Sequence, residues 1–318
     1  MNNIYTLVDD FMQGKITIES LYPFRDDIYH EYIIQMCGKA NPNLTLKDIQ
    51  GKTILFLTYL QSAGHGDVFQ YMRYLPILQK YNVNVVLDVH ESIKPLMKGF
   101  KLHNKHRSPF NNYFSYFEVP ILNTGKSPDY QISLFSIPII LNLPFQRYEQ
   151  YIVYPNRPFN DGNIHVGICN IAGNPNQTSV KNKLKFRSIA MNLLSDILKT
   201  KGIKFHNLCD RSDEKDLQLL SSVDADSPKL DNWGMTASII SQMDLIITVD
   251  TAVAHLAGAM NKEVWLLLPR EISWKWLLGL LGYPYYPSVK IYRQEKENDW
   301  EKVLSKVKRD LKSLSASF

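Results

Sequence analysis

Two places in this chain of 318 residues set groups able to do chemistry directly after an apolar run. The first is "QSAGHGD" at 61–67, behind "KTILFLTYL". Gly64 and Gly66 permit a tight turn and close approach of a ligand. Asp67 falls at or near the start of a helix expected from about Val68. Such a carboxylate either caps the helix, accepting from its free amides, or stands at a cleft mouth as a general base beside the proton it removes. His65 inside the turn reads as an exposed loop histidine; help to the base or contact with substrate is the alternative.

The second place is "LIITVDTAVAHLAGAM" at 245–260. A strand ends at Asp250, a residue suited to capping, and a helix begins at once. The amides of Thr251, Ala252 and Val253 then lie at the positive end of a helix, which suits a diphosphate. Thr251 adds a hydroxyl. His255 is four residues beyond it on the same helical face, so it either meets the ligand or packs in the core. Between the two places, "GNPNQTSVKNKLKFRS" carries Lys181, Lys183, Lys185 and Arg187. A basic run is commonly a solvated face. In a cleft it would neutralise a departing phosphate, and Arg187, nearest the next helix, is best placed for that.

Other chemistries have little support. The acidic run 210–216, "DRSDEKD", matches no cation-loop spacing and reads as a helix start, so no metal is expected. Neither GxGxxG nor GxxxxGK[ST] occurs, which removes nicotinamide and P-loop readings. The three cysteines, Cys37, Cys169 and Cys209, form no CxxC and read as reduced thiols of a cytoplasmic protein. A net charge of +5 is too mild and dispersed for a nucleic-acid partner. The N-terminus lacks the basic and apolar regions of a signal peptide. The longest apolar stretch, 132–145, is broken by Pro138, Asn142 and Pro144 and is too short to span a bilayer.

The elements that must position these residues follow from periodicity. Residues 1–50 read as a mainly helical segment. "KTILFLTYL", "DVFQYMRYLPILQKYN" and "VNVVLDV" form a βαβ unit, hence a parallel sheet with a right-handed crossover. Residues 154–163 read as a linker. A second strand–helix alternation starts at "IHVGICNIAG" and ends in an amphipathic helix from 299 onward, expected to pack back across the domains, with Lys302, Lys306, Lys308 and Lys312 on its solvated face. The expected organisation is a helical segment 1–50, an α/β domain 51–155, a second α/β domain 160–298 and a closing helix 299–318, with a cleft between the sheets' carboxyl ends. Trp274, Trp276, Tyr285 and Tyr286 cluster after the last apolar strand, either as interface packing or as a stacking platform.

Taken together, "DLIITVDTAVAHLAGAMNKEVWLLLP", the upstream "GNPN", the downstream "WKWLLG…YYPSVKIYRQ…DW" and the earlier "GHGDVFQYMRYLPIL" resemble ADP-heptose:lipopolysaccharide heptosyltransferase-like glycosyltransferases of family 9. The nearest likeness is to the version often fused to tetratricopeptide repeats, and it runs from about 52 to 312. The resemblance implies a GT-B fold, two Rossmann-like domains facing each other across a cleft. It implies inverting, metal-independent transfer from a nucleotide-sugar co-substrate, with no cofactor, to a glycan, lipopolysaccharide or protein acceptor. Carried over by motif, Asp67 would be the base and Arg187 the residue at the leaving phosphate. Asp250, Thr251, Ala252 and His255 would bind donor, and Gly66 and His65 would lie on the acceptor side. It also implies a cytoplasmic location, with peripheral contact at the inner face of a membrane allowed. Ala252 and Asn261 stand where glycine is common in such chains; Asn tolerates the left-handed backbone at a helix end. Competing readings are an inactive GT-B scaffold and a nucleotide-sugar epimerase.

Overall fold

The computed structural model describes residues 4–28, 31, 44–58, 64–98, 127–142, 150–155, 158–173, 187–282 and 285–316. The chain forms two parallel sheets. The first has strands β1 (Thr53–Leu57), β2 (Asn84–Asp88) and β3 (Tyr130–Ser133) in the order β2-β1-β3. The second has β4 (Ile164–Cys169), β5 (Ile203–Asn207), β6 (Leu245–Val249), β7 (Glu263–Leu268) and β8 (Val289–Arg293) in the order β5-β4-β6-β7-β8. Every residue of β4 and of β6 is buried, which explains why these strands read as mainly apolar runs, interrupted by His165 and Thr248, instead of alternating ones.

Strand order decides where a ligand can enter. In each sheet the chain turns outward to both sides from a central strand, and the crevice opens at the carboxyl ends of the strands beside that reversal. In the first sheet this is the end of β1, which leads to Gly64 and Asp67. In the second it is the gap between Cys169, ending β4, and Asp250, just beyond β6.

One hydrophobic cluster fills the first domain and continues into the second through Ala254, Leu256, Trp276 and Tyr286. A second cluster covers the far face of the larger sheet, and there the closing helix Trp300–Ala316 buries Trp300, Val303, Val307 and Leu311. The described contacts of that helix are with its own domain. Lys308 pairs with Asp196, and Asp310 accepts from Tyr292 and Lys290. Among the described residues it packs on its own domain instead of crossing back between domains. The apolar stripe that would have reached the first domain is spent on β8 and the Ser195–Leu198 turn.

Residues 1–50 are structured where described. The Ile4–Met12 helix buries Val8 and Phe11 in the first cluster. Arg270 donates to the Met12 carbonyl at 3.0 Å, and the Arg293 guanidinium lies 4.2 Å over the Phe11 ring. The long helix expected after Asp67 is instead a relay: His65–Tyr71, a 3-10 turn Met72–Tyr74, then Leu75–Lys80 with Pro76 near its start, where a missing N–H costs nothing. Asn261 takes φ +55, the left-handed conformation its type allows. Among the described residues no helix is long and apolar enough to cross a membrane.

Candidate active site

The helix after β1 begins at His65, not at Val68, because Gly64 adopts the extended N-cap conformation (φ −75, ψ 160). Asp67 is thus the third helical residue. Its Oδ2 accepts from the Gly64 N–H at 3.0 Å, tying down the turn. Its Oδ1 is left facing outward, 3.7 Å from the Lys275 ammonium, and the side chain is 28% exposed. Capping and an accessible carboxylate oxygen therefore coexist in one residue.

The two glycines of the turn differ. A Cβ on Gly64 would meet nothing closer than 3.6 Å. A Cβ on Gly66 would lie 2.7 Å from His255 Cδ2 and 3.2 Å from Ala252 Cα. Gly66 is buried, and its small size lets the His65–Tyr71 helix dock on the Ala252–Ala259 helix of the other domain. His65 is partly buried in the same seam, which corrects the exposed-loop reading. Its Nδ1 accepts from the Trp233 indole N–H at 2.8 Å across 168 residues of sequence. Burial, then the neighbouring His90, lowers its proton affinity, so the neutral ring with hydrogen on Nε2 fits.

On the second domain the N-cap of the Ala252–Ala259 helix is Thr251, and Asp250 does not cap it. The Thr251 hydroxyl lies 3.1 Å from that of Thr248. Asp250 is buried between two cations: Oδ2 is 2.8 Å from Arg187 Nη1, and Oδ1 is 4.0 Å from Lys275 Nζ. Burial alone would raise its pKa, but Lys275 and then Arg187 outweigh that and hold it at about 2. Arg187 itself is 32% exposed and faces the cleft.

His255 is buried, 2% exposed. Its Nδ1 is 2.9 Å from the Tyr286 hydroxyl, and its ring stacks on Trp276 at 5.1 Å. Burial first, then Lys275, lowers its proton affinity far below the ordinary histidine value, so it is neutral. Trp276, Tyr285 and Tyr286 pack the domain interface. Tyr286 lies under Gly258, and the buried Arg73 guanidinium sits 4.8 Å over Tyr285 and 5.0 Å over Tyr286. Lys181, Lys183 and Lys185 lie outside the described residues, as does the Trp274 side chain.

These groups converge on one cleft of about 610 Å³, with walls from both domains. Asp67 and Gly64 come from the first; Arg187, Asp250, Thr251 and Lys275 come from the second. Thr251, Ala252 and Val253 line the cleft at the start of an eight-residue helix, where first-turn amides lack intrahelical acceptors. Sequence reasoning missed Lys275, Trp233 and Arg73. A lysine between two tryptophans just beyond a buried strand was a usable signal for Lys275, since that position falls at the carboxyl edge of the sheet. Arg73, alone in an apolar helix, was another.

An anion with a diphosphate's charge suits the cation pair and the helix start. A proton donor placed against Asp67 Oδ1 would have a base in reach.

No protein-family model matches the chain. Among solved structures, a glycosyl transferase family 9 protein from Veillonella parvula superposes with a TM-score of 0.50 and 11% identity, covering 82% of this chain and 90% of that one. The ADP-heptose lps heptosyltransferase II of E. coli does so with a TM-score of 0.50 and 10% identity, covering 83% of this chain and 99% of that one. The two parallel sheets and their facing arrangement are the GT-B fold of these proteins. Among curated proteins, Protein FlbA of Caulobacter vibrioides is 33% identical over 81 residues, which is 26% of this chain and 13% of that protein.

Proposed function

We propose that the protein is a glycosyltransferase that moves a sugar from a nucleoside diphosphate donor, of ADP-heptose type or similar, to a glycan or protein acceptor with inversion and without a metal. The observation that carries the reading is the pairing across one cleft of an accessible carboxylate, Asp67, with a cation-rich helix start at 250–253 on the opposite domain. Inversion in a single displacement needs a base on one side of the anomeric carbon and a stabilised leaving group on the other, and the two domains each offer one.

In this reading the diphosphate lies against Thr251, Ala252 and Val253, with Arg187 beside it. Asp67 Oδ1 takes the proton from the acceptor nucleophile as that atom bonds to the anomeric carbon. The bond from that carbon to the phosphate oxygen breaks, and its electron pair leaves with the nucleotide. Buried Asp250 holds Arg187 at the donor face. His255 and Gly66 fix the spacing of the two helices instead of touching substrate.

The test is nucleotide release from ADP-, UDP- and GDP-sugars by the wild type and its Asp67→Asn variant, with and without acceptors. Release from one donor that depends on an acceptor and disappears in the variant supports transfer. Binding with no turnover on any donor favours a scaffold. Isomerised donor without acceptor favours an epimerase.

A further inference from the structure

The charge count around Asp67 and Asp250 assigns a task to Lys275. Its side chain is 15% exposed, and its ammonium lies 3.7 Å from Asp67 Oδ1 and 4.0 Å from Asp250 Oδ1. These carboxylates belong to different domains, and among the described residues Lys275 is the cation within reach of both. The separations exceed hydrogen-bond length, so the attraction is that of charges in a partly buried cleft, where it is screened less than at an open surface. Lys275 is held from behind by the helix Trp274–Leu280, and its ammonium is 6.0 Å from the Trp276 ring. Trp276 stacks in turn on His255.

Two carboxylates, Lys275 and Arg187 balance to zero. When the first carboxylate takes a proton, the group is left with one unit of positive charge. At the same moment the departing nucleotide gains one unit of negative charge. We propose that Lys275 is a positioning residue that couples these events: it holds Asp67 toward the donor face and turns its field from the neutralised base to the departing phosphate. The proposal rests on the glycosyl-transfer reading. The proton passes from the acceptor to Asp67, the electron pair of the broken bond stays on the phosphate, and Lys275 exchanges no atom.

The experiment compares Lys275→Met, which keeps length and removes charge, with Lys275→Arg, using the donor that the wild type turns over. The expected result is a fall in kcat of about 100-fold for the Met variant. Donor KM should change by less than about threefold, and the Arg variant should recover to within about tenfold of wild type. The acid limb of the Met variant's pH profile should move upward, because Asp250 then keeps, among the described residues, Arg187 alone as a close cation beside neutral His255; the Arg variant should not show this. A rise in KM with kcat unchanged, wild-type behaviour in the Met variant, or an Arg variant as poor as Met would overturn the assignment. Circular dichroism and thermal melting of each variant separate these outcomes from misfolding. Absence of turnover in the wild type on every donor and acceptor would defeat the transferase reading, and this assignment with it; turnover by the wild type with an insensitive Lys275→Met defeats this assignment alone.

Discussion

The molecule contains the same joint twice, a buried parallel strand that runs into a helix at the carboxyl edge of a sheet, with an aspartate at the junction. After β1 the aspartate is the third residue of the helix, 28% exposed, with one oxygen on a backbone amide and the other facing the cleft. After β6 it precedes the helix, 5% exposed, with an oxygen on each of two cations. A shift of a few residues along an otherwise equivalent turn changes the solvation of the carboxylate, and solvation separates the roles. In the proposed reaction the accessible group takes the acceptor's proton. The buried one is locked as an anion and organises its neighbours.

The comparison breaks if the two aspartates respond alike to neutralisation. Asp67→Asn keeps an oxygen able to accept from Gly64, so it should lose about 10³-fold or more in turnover while its urea midpoint stays near wild type. Asp250→Asn should do the reverse in emphasis. Its folded pKa of about 2 lies below the usual carboxylate value, so its ionisation stabilises the fold above about pH 4, and that contribution drains away as pH falls toward 2. Urea titrations should show the variant less stable by about 2–3 kcal/mol at pH 7, with the gap closing in acid; a constant gap across pH would contradict the account.

A finer version of the same contrast lies within one turn. Gly66→Ala forces a Cβ to within 2.7 Å of His255, so it should cost about 1–3 kcal/mol in chemical denaturation. Gly64→Ala, at φ −75 and with room around it, should cost less than about 0.5 kcal/mol. A third test lies inside the seam, where Tyr286 is buried. Tyr286→Phe removes the hydroxyl partner of the buried His255 Nδ1, and thermal melting should report a loss of about 1–2 kcal/mol with donor turnover retained.

The strands were largely legible from residue pattern. β4, β6 and β7 beyond Glu263 are covered on both faces, so burial writes itself into the sequence as runs dominated by Val, Ile and Leu. Helix limits were less legible. Gly64 was read as part of a tight turn and proved to be an N-cap, which moved the start back to His65 and Asp67 inward. Within the site, Asp67, Arg187, Asp250 and Thr251 could be picked out because each adjoins a strand end or helix start. Lys275, and the bond from Trp233 to His65, could not be assigned a role that way. Asp67 and His65 lie on the other domain, and no local period records such a contact, the second made across 168 residues. His255 carried two readings, ligand or core, and helical spacing alone does not distinguish them; it is buried and bonded to Tyr286, and it also lines the cleft.

The docking of the His65–Tyr71 helix on the Ala252–Ala259 helix bears on how such a chain can diverge. Fusion of two sheets by a linker suggests modules that could be traded separately among relatives. Here the contact leaves no space for a methyl group at Gly66, and Ala252 Cα forms one wall of that gap. A second domain borrowed with a bulkier helix would have to arrive together with a matching first turn from the other half. A chimera joined at the linker takes position 66 from one parent and positions 252 and 255 from the other, so it should lose stability wherever those residues do not leave room for this close contact.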